Sequence, residues 1–104
     1  MRHQYTGQLG VLVSKGISGK SADVDFIMSK LDINATLAMT RFADFALSLV
    51  ETEEGINRIT DYLFRGTLIQ RNYASLFLNR IGEWEPVVEA YKKGLIDEIQ
   101  AFSR

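Results

Sequence analysis

The sequence predicts an all-α chain, and three observations carry that expectation. Apolar residues recur at helical spacing from about Ser21 onward. Strand signals are weak, because β-branched and aromatic residues do not alternate with polar ones. Two long stretches repeat themselves at a fixed offset of 31 residues.

The elements follow in order. Tyr5 to Ile17 is expected to be helical although Gly7, Gly10 and Gly16 each weaken a helix. Ser21 is placed to cap a helix over 22–32, with Val24, Ile27, Met28 and Leu31 on one face and Asp23 and Asp25 in the dipole-favoured first turn. Asn34 or Thr36 opens the next, which runs to about 50. Thr52 before Glu53 and Glu54 opens a helix over 53–65. Thr67 with Gln70 reads as a capping box that starts a helix to about Ile81. Gly82 stops it, because glycine accepts the left-handed conformation. Pro86 suits the first turn of another helix, where its missing N–H is not needed. Gly94 ends that helix, and a last one spans about 95–103.

Composition narrows the function. The 104 residues suffice for one domain, 1–104, with one modest core. Hydrophobic residues make up 46% and charged residues 24%, ordinary for a folded domain. Net charge is −1, and neither half is basic: residues 1–52 hold five charges of each sign, residues 53–104 seven positive and eight negative. A nucleic-acid binder would show an excess of positive charge, so no nucleic-acid partner is expected. Cysteine is absent, which removes disulfides and thiolate chemistry and suits a reducing cytoplasm. The run Leu9–Val13 follows Arg2, but it is too short for a signal peptide or a spanning helix, so no membrane role is expected.

At the 31-residue offset Thr36, Leu37, Ala43 and Leu47 meet identical residues at Thr67, Leu68, Ala74 and Leu78. Phe42 meets Tyr73, Val50 meets Ile81, Met28 meets Ile59 and Leu31 meets Tyr62. A looser match at an offset of 33 sets Leu9, Gly10, Leu12, Val13 and Ile17 on Phe42, Ala43, Phe45, Ala46 and Val50. On a helical wheel the apolar arc of 67–81 covers roughly 200°, wide enough for packing on both flanks. It leaves a narrow polar stripe of Arg71, Asn72, Ser75 and Asn79, matched in 36–50 by Thr40, Arg41, Asp44 and Ser48. A period of this length with two helices per unit is the mark of an α-solenoid of about three antiparallel helix pairs; the alternative is a compact helical bundle that arose by duplication.

The stretch from Ile56 to Glu83 resembles a HEAT or armadillo-like repeat. Arg71, Ala74, Leu78 and Ile81-Gly82 follow that family's second-helix pattern of a basic residue, a small one, a large apolar one and a closing Ile-Gly, while Gly66 stands where the family often has an acidic residue. The resemblance implies that second helices line a concave surface. Arg41, Asp44 and Ser48 would then stand beside Arg71, Asn72, Ser75 and Asn79 as a partner-binding face of mixed charge, suited to a protein segment.

Catalytic patterns are missing. Gly16 to Ser21 ends in Gly-Lys-Ser, but Ser14 occupies the place of a phosphate loop's first glycine and no parallel sheet is expected. The acids Glu51, Glu53 and Glu54, and Glu83, Glu85 and Glu89, lie in turns and first helical turns, where acids complement the dipole. The single His is His3, with no clustered ligands for a metal and no nucleophile pattern, so no catalytic residue, metal site or cofactor is expected. Trp84 reads either as a staple at the helix entry or as an interface anchor. The expected function is a non-catalytic protein-binding module, a small adaptor or regulator. The alternatives are an immunity- or antitoxin-like inhibitor of one enzyme and, behind it, a helical-repeat nucleic-acid enzyme. A homodimer through the C-terminal helix, with Ile96, Ile99 and Phe102, is a further expectation, because terminal repeats need capping.

Overall fold

The computed structural model describes residues 6–102 and is all-α: α1 (Gly7–Ser18), α2 (Ser21–Ser29), α3 (Leu37–Ser48), α4 (Glu53–Arg65), α5 (Leu68–Arg80), α6 (Trp84–Lys92) and α7 (Glu98–Phe102). No strand occurs among the described residues, and His3 lies outside them. The chain divides into two compact units, Met1–Ile56 and Asn57–Arg104, with the division inside α4.

In the first unit α1 packs on α2 and α3, and α2 packs on α3. Leu12 and Val13 from α1, Val24, Ile27 and Met28 from α2, and Ala43, Ala46 and Leu47 from α3 are buried. Gly16 is a point of close approach. A Cβ added there would lie 2.1 Å from the Ala46 carbonyl oxygen, so the missing side chain lets the backbones of α1 and α3 touch. That contact offsets the helix-weakening effect of a glycine inside α1. The 33-residue alignment had placed Gly10 on the small-residue position instead. Gly10 is only half-buried, and Ile17 is 66% exposed where its counterpart Val50 is buried.

The turns of this unit are tied together. The Thr52 hydroxyl donates to the Gly19 carbonyl (2.7 Å) and accepts from the Gly55 N–H (3.0 Å), so Thr52 both caps α4 and anchors the α1–α2 turn. Ser21 is not the cap of α2. It is the first helical residue, and its N–H donates to the Glu54 carboxylate at 2.6 Å. A carboxylate is the stronger acceptor for an N-terminal amide, because it also meets the positive end of the helix dipole.

In the second unit α5, α6 and α7 pack on one another. Thr67 and Gln70 form the expected capping box: the Gln70 N–H donates to the Thr67 hydroxyl (3.3 Å), and the Thr67 N–H donates to the Gln70 Oε1 (2.9 Å). Thr36 also caps α3, its hydroxyl accepting the Met39 N–H at 3.1 Å. The two capping threonines therefore keep the 31-residue offset, and so do the residues behind them. Ala43 and Ala74 are buried, Leu47 and Leu78 are buried, and Leu37 and Leu68 are exposed at 67% and 60%. Gly82, with φ 83°, ends α5 as expected, and the Glu83 N–H reaches back to the Leu78 carbonyl (2.9 Å). The last helix starts later than the expected 95, and residue 103 of the expected 95–103 lies outside the described residues. Residues 93–97 form a turn, and Asp97 with Gln100 builds a second capping box that starts α7 only at Glu98.

Candidate functional site

The stripe residues of α3 and α5 fall in different units and in different surroundings. On α3, Arg41 and Ser48 are exposed and Asp44 is half-buried. The Ser48 hydroxyl donates to the Phe45 carbonyl one turn back. Thr40, at the edge of this stripe, is turned inward and donates to the Leu37 carbonyl at 2.8 Å.

On α5 the matching positions are covered. Ser75 is fully buried, Asn79 is 4% exposed, and Arg71 and Asn72 are half-buried. The cover is the C-terminal segment. The Asn79 Nδ2 donates to the Gln100 carbonyl (3.0 Å) and the Ala101 carbonyl (3.3 Å). The last four carbonyls of a helix have no partner inside it, so Asn79 acts as a side-chain cap on the C-terminal end of α7. Arg71 spans two turns: its Nε donates to the Leu95 carbonyl (2.8 Å) and its Nη1 to the Gly66 carbonyl (3.0 Å). The planar guanidinium suits this role because its donors point in fixed, divergent directions. Ser75 donates to the Asn72 carbonyl at 2.8 Å. Arg71 and Asn79, read from the sequence as part of an open polar stripe, thus hold the turn before α7 and α7 itself.

Along the seam between α5 and α7 runs a recess of about 330 Å³, lined by Asn72, Tyr73, Ser75, Leu76, Ile99 and Gln100. The faces of α7 are unequal. Ala101 is buried and Ile96 just before the helix is buried, whereas Ile99 is 77% exposed and Phe102 is exposed. The Phe102 ring also meets Tyr91 edge-on at 5.6 Å.

The sequence signals for Glu54 and for the Asp97–Gln100 box were both present as acidic residues near helix starts. The box was readable, being D-x-x-Q. The Glu54 contact was not, because it caps a different helix 33 residues away. The Ser21 amide that Glu54 accepts holds its carboxyl below the usual range, aided by the Lys20 charge. Asp23 is lowered by the Ser18 hydroxyl first and by Lys15 second, whose ammonium lies 3.2 Å away. The α2 amide end at the Gly-Lys-Ser turn is therefore occupied by a carboxylate from α4.

Trp84 is the first residue of α6 and is exposed, while its indole N–H donates to the Asn79 carbonyl at 3.3 Å. No group of three His, Asp or Glu among the described residues is placed to hold a metal, and no described helix is long and apolar enough to cross a membrane. No protein family, curated protein or solved structure matches the chain.

Proposed function

We propose that this chain is a non-catalytic protein-binding module, a small HEAT-like adaptor or regulator acting in the cytoplasm. The observation that carries the reading is the pair of helices α3 and α5. They share a threonine cap, an exposed leucine, a buried alanine and a buried leucine at one 31-residue offset. Helices repeated at a fixed offset serve recognition in helical-repeat proteins. Arg41, exposed on α3, is the charged contact of the face and selects a partner with a complementary acidic group.

The test is affinity capture from native lysate with the unaltered chain and with Arg41→Glu, followed by identification of the bound proteins. Arg41 is exposed, so the reversal should leave the fold intact by circular dichroism. A protein retained by the first chain and lost from the second is the expected result. The same proteins on both chains, or none on either, would overturn the reading.

A further inference from the structure

We infer that the exposed face of α3 and the exposed face of α7 are complementary, and that the partner joining them is a second copy of this chain. The inference rests on the protein-binding reading above, keeps its Arg41 face and names the occupant.

On α3, Leu37, Arg41 and Phe45 are all exposed, Leu37 at 67% and Phe45 at 39%. Residues four apart are neighbours on a helix, so these three form one ridge, with a cation between two apolar side chains. A solvated helix face carries polar residues, whereas two of these three are large and apolar. Arg41 has no ion pair among the described residues, and Asp44 on the flank of the ridge is half-buried.

On α7 the same composition recurs with the opposite charge. Ile99 is 77% and Phe102 48% exposed, and Glu98 is exposed. Glu98 and Phe102 lie four apart and Ile99 and Phe102 three apart, so all three share one side of the helix. Glu98 also has no ion pair among the described residues. The face is held in place at both ends: the Asp97–Gln100 box fixes the start of α7, and Asn79 takes the Gln100 and Ala101 carbonyls at its end. A surface already ordered by its own chain loses little freedom when it is covered.

Charge decides which faces meet. Two α3 ridges together would set Arg41 against Arg41, and two α7 faces would set Glu98 against Glu98, and like charges across an interface are unfavourable. The contact therefore joins unlike faces, α3 of one copy to α7 of another. Leu37 and Phe45 then cover Ile99 and Phe102, while Arg41 meets Glu98. The C-terminal helix is half of this interface, and the other half is the ridge of α3.

The test is the solution mass of the full chain, by light scattering and sedimentation, from about 1 µM to 1 mM, the range of weak complexes. The mass is expected to rise with concentration above that of one chain; a single-chain mass throughout would overturn the proposal. Arg41→Glu and Glu98→Arg are each expected to weaken the association about tenfold or more, because each sets like charges together. The double variant restores opposite charges across the contact and is expected to recover most of the lost affinity. No recovery would overturn the pairing. Glu98 lies in the first turn of α7, where the helix dipole disfavours a cation, so a second route avoids that position. Ile99→Ser leaves the capping box intact and is expected to weaken the association, whereas Ile17→Ser, at a similarly exposed apolar position on α1, leaves it unchanged. Equal losses from both would mean general stickiness and overturn the proposal. A lysate partner lost on Arg41→Glu, from a chain that stays single at every concentration, would remove this inference and leave the protein-binding reading standing.

Discussion

The Glu54 carboxylate accepts the backbone N–H of Ser21 at 2.6 Å, so the first amide of α2 is capped by a residue from α4, 33 positions further along. The contact is charge-dependent. Its carboxyl is lowered from 4.5 by that amide, and a lowered folded value means the contribution is fully present above 4.5 and lost as pH falls through the folded value. Asp23 behaves alike from its ordinary 3.8. Protection of the Ser21 amide from exchange should therefore be level above 4.5 and fall with acidification. Glu54→Gln, which keeps an acceptor oxygen but no charge, should remove most of that pH dependence. Carboxyl titration by NMR would give a Glu54 midpoint below 4.5; a midpoint at or above it would contradict the contact.

Gly16→Ala sets two effects against each other. Alanine favours a helix over glycine by up to ~1 kcal/mol. The added Cβ, however, falls 2.1 Å from the Ala46 carbonyl oxygen, which is backbone and cannot swing aside. Overpacking of this kind costs about 1–3 kcal/mol, so the net effect should be a loss of stability. A lower urea midpoint with an unchanged slope is expected, and a higher midpoint would show that α1 and α3 do not approach so closely.

The two threonine caps differ in kind, and so should their removal. Thr36 accepts one amide, whereas Thr67 shares a reciprocal box with Gln70. Thr36→Ala is expected to cost ~0.5–1 kcal/mol and Thr67→Ala ~1–2 kcal/mol. Chemical denaturation of the pair would test the order.

Arg71→Lys keeps the charge and loses the fork. One ammonium on a flexible stem does not hold the Leu95 and Gly66 carbonyls as a planar guanidinium does. The expected loss is about 1 kcal/mol, with faster amide exchange across residues 93–102 and little change in the first unit. Unaltered exchange in that segment would remove Arg71 from its holding role.

The elements were legible where their signals are short-range. Thr67 and Gln70, Gly82, and Pro86 in the first turn of α6 each act within a few residues, so sequence alone located the ends of α5 and the start of α6. The surroundings of the stripe were not legible. Periodicity tells that Ser75 and Asn79 share the polar side of α5, but not whether water or another backbone satisfies them. Asn79 finds its acceptors 21 and 22 positions away, in a helix whose own pattern is too short to announce where it lies. Ser21 shows the same limit. A serine before an apolar run is a sound local cap, and it yielded to a carboxylate from a distant turn.

The ties that hold the turns together also bear on how fast the chain folds. They close loops of 33 residues at Ser21–Glu54 and Gly19–Thr52, 24 at Arg71–Leu95 and 22 at Asn79–Ala101. Loop-closure entropy rises slowly with length and is modest at this scale. Each of these contacts can thus be reached by a chain that has searched only its own neighbourhood. Helical chains whose contacts are this local fold on the microsecond to millisecond scale.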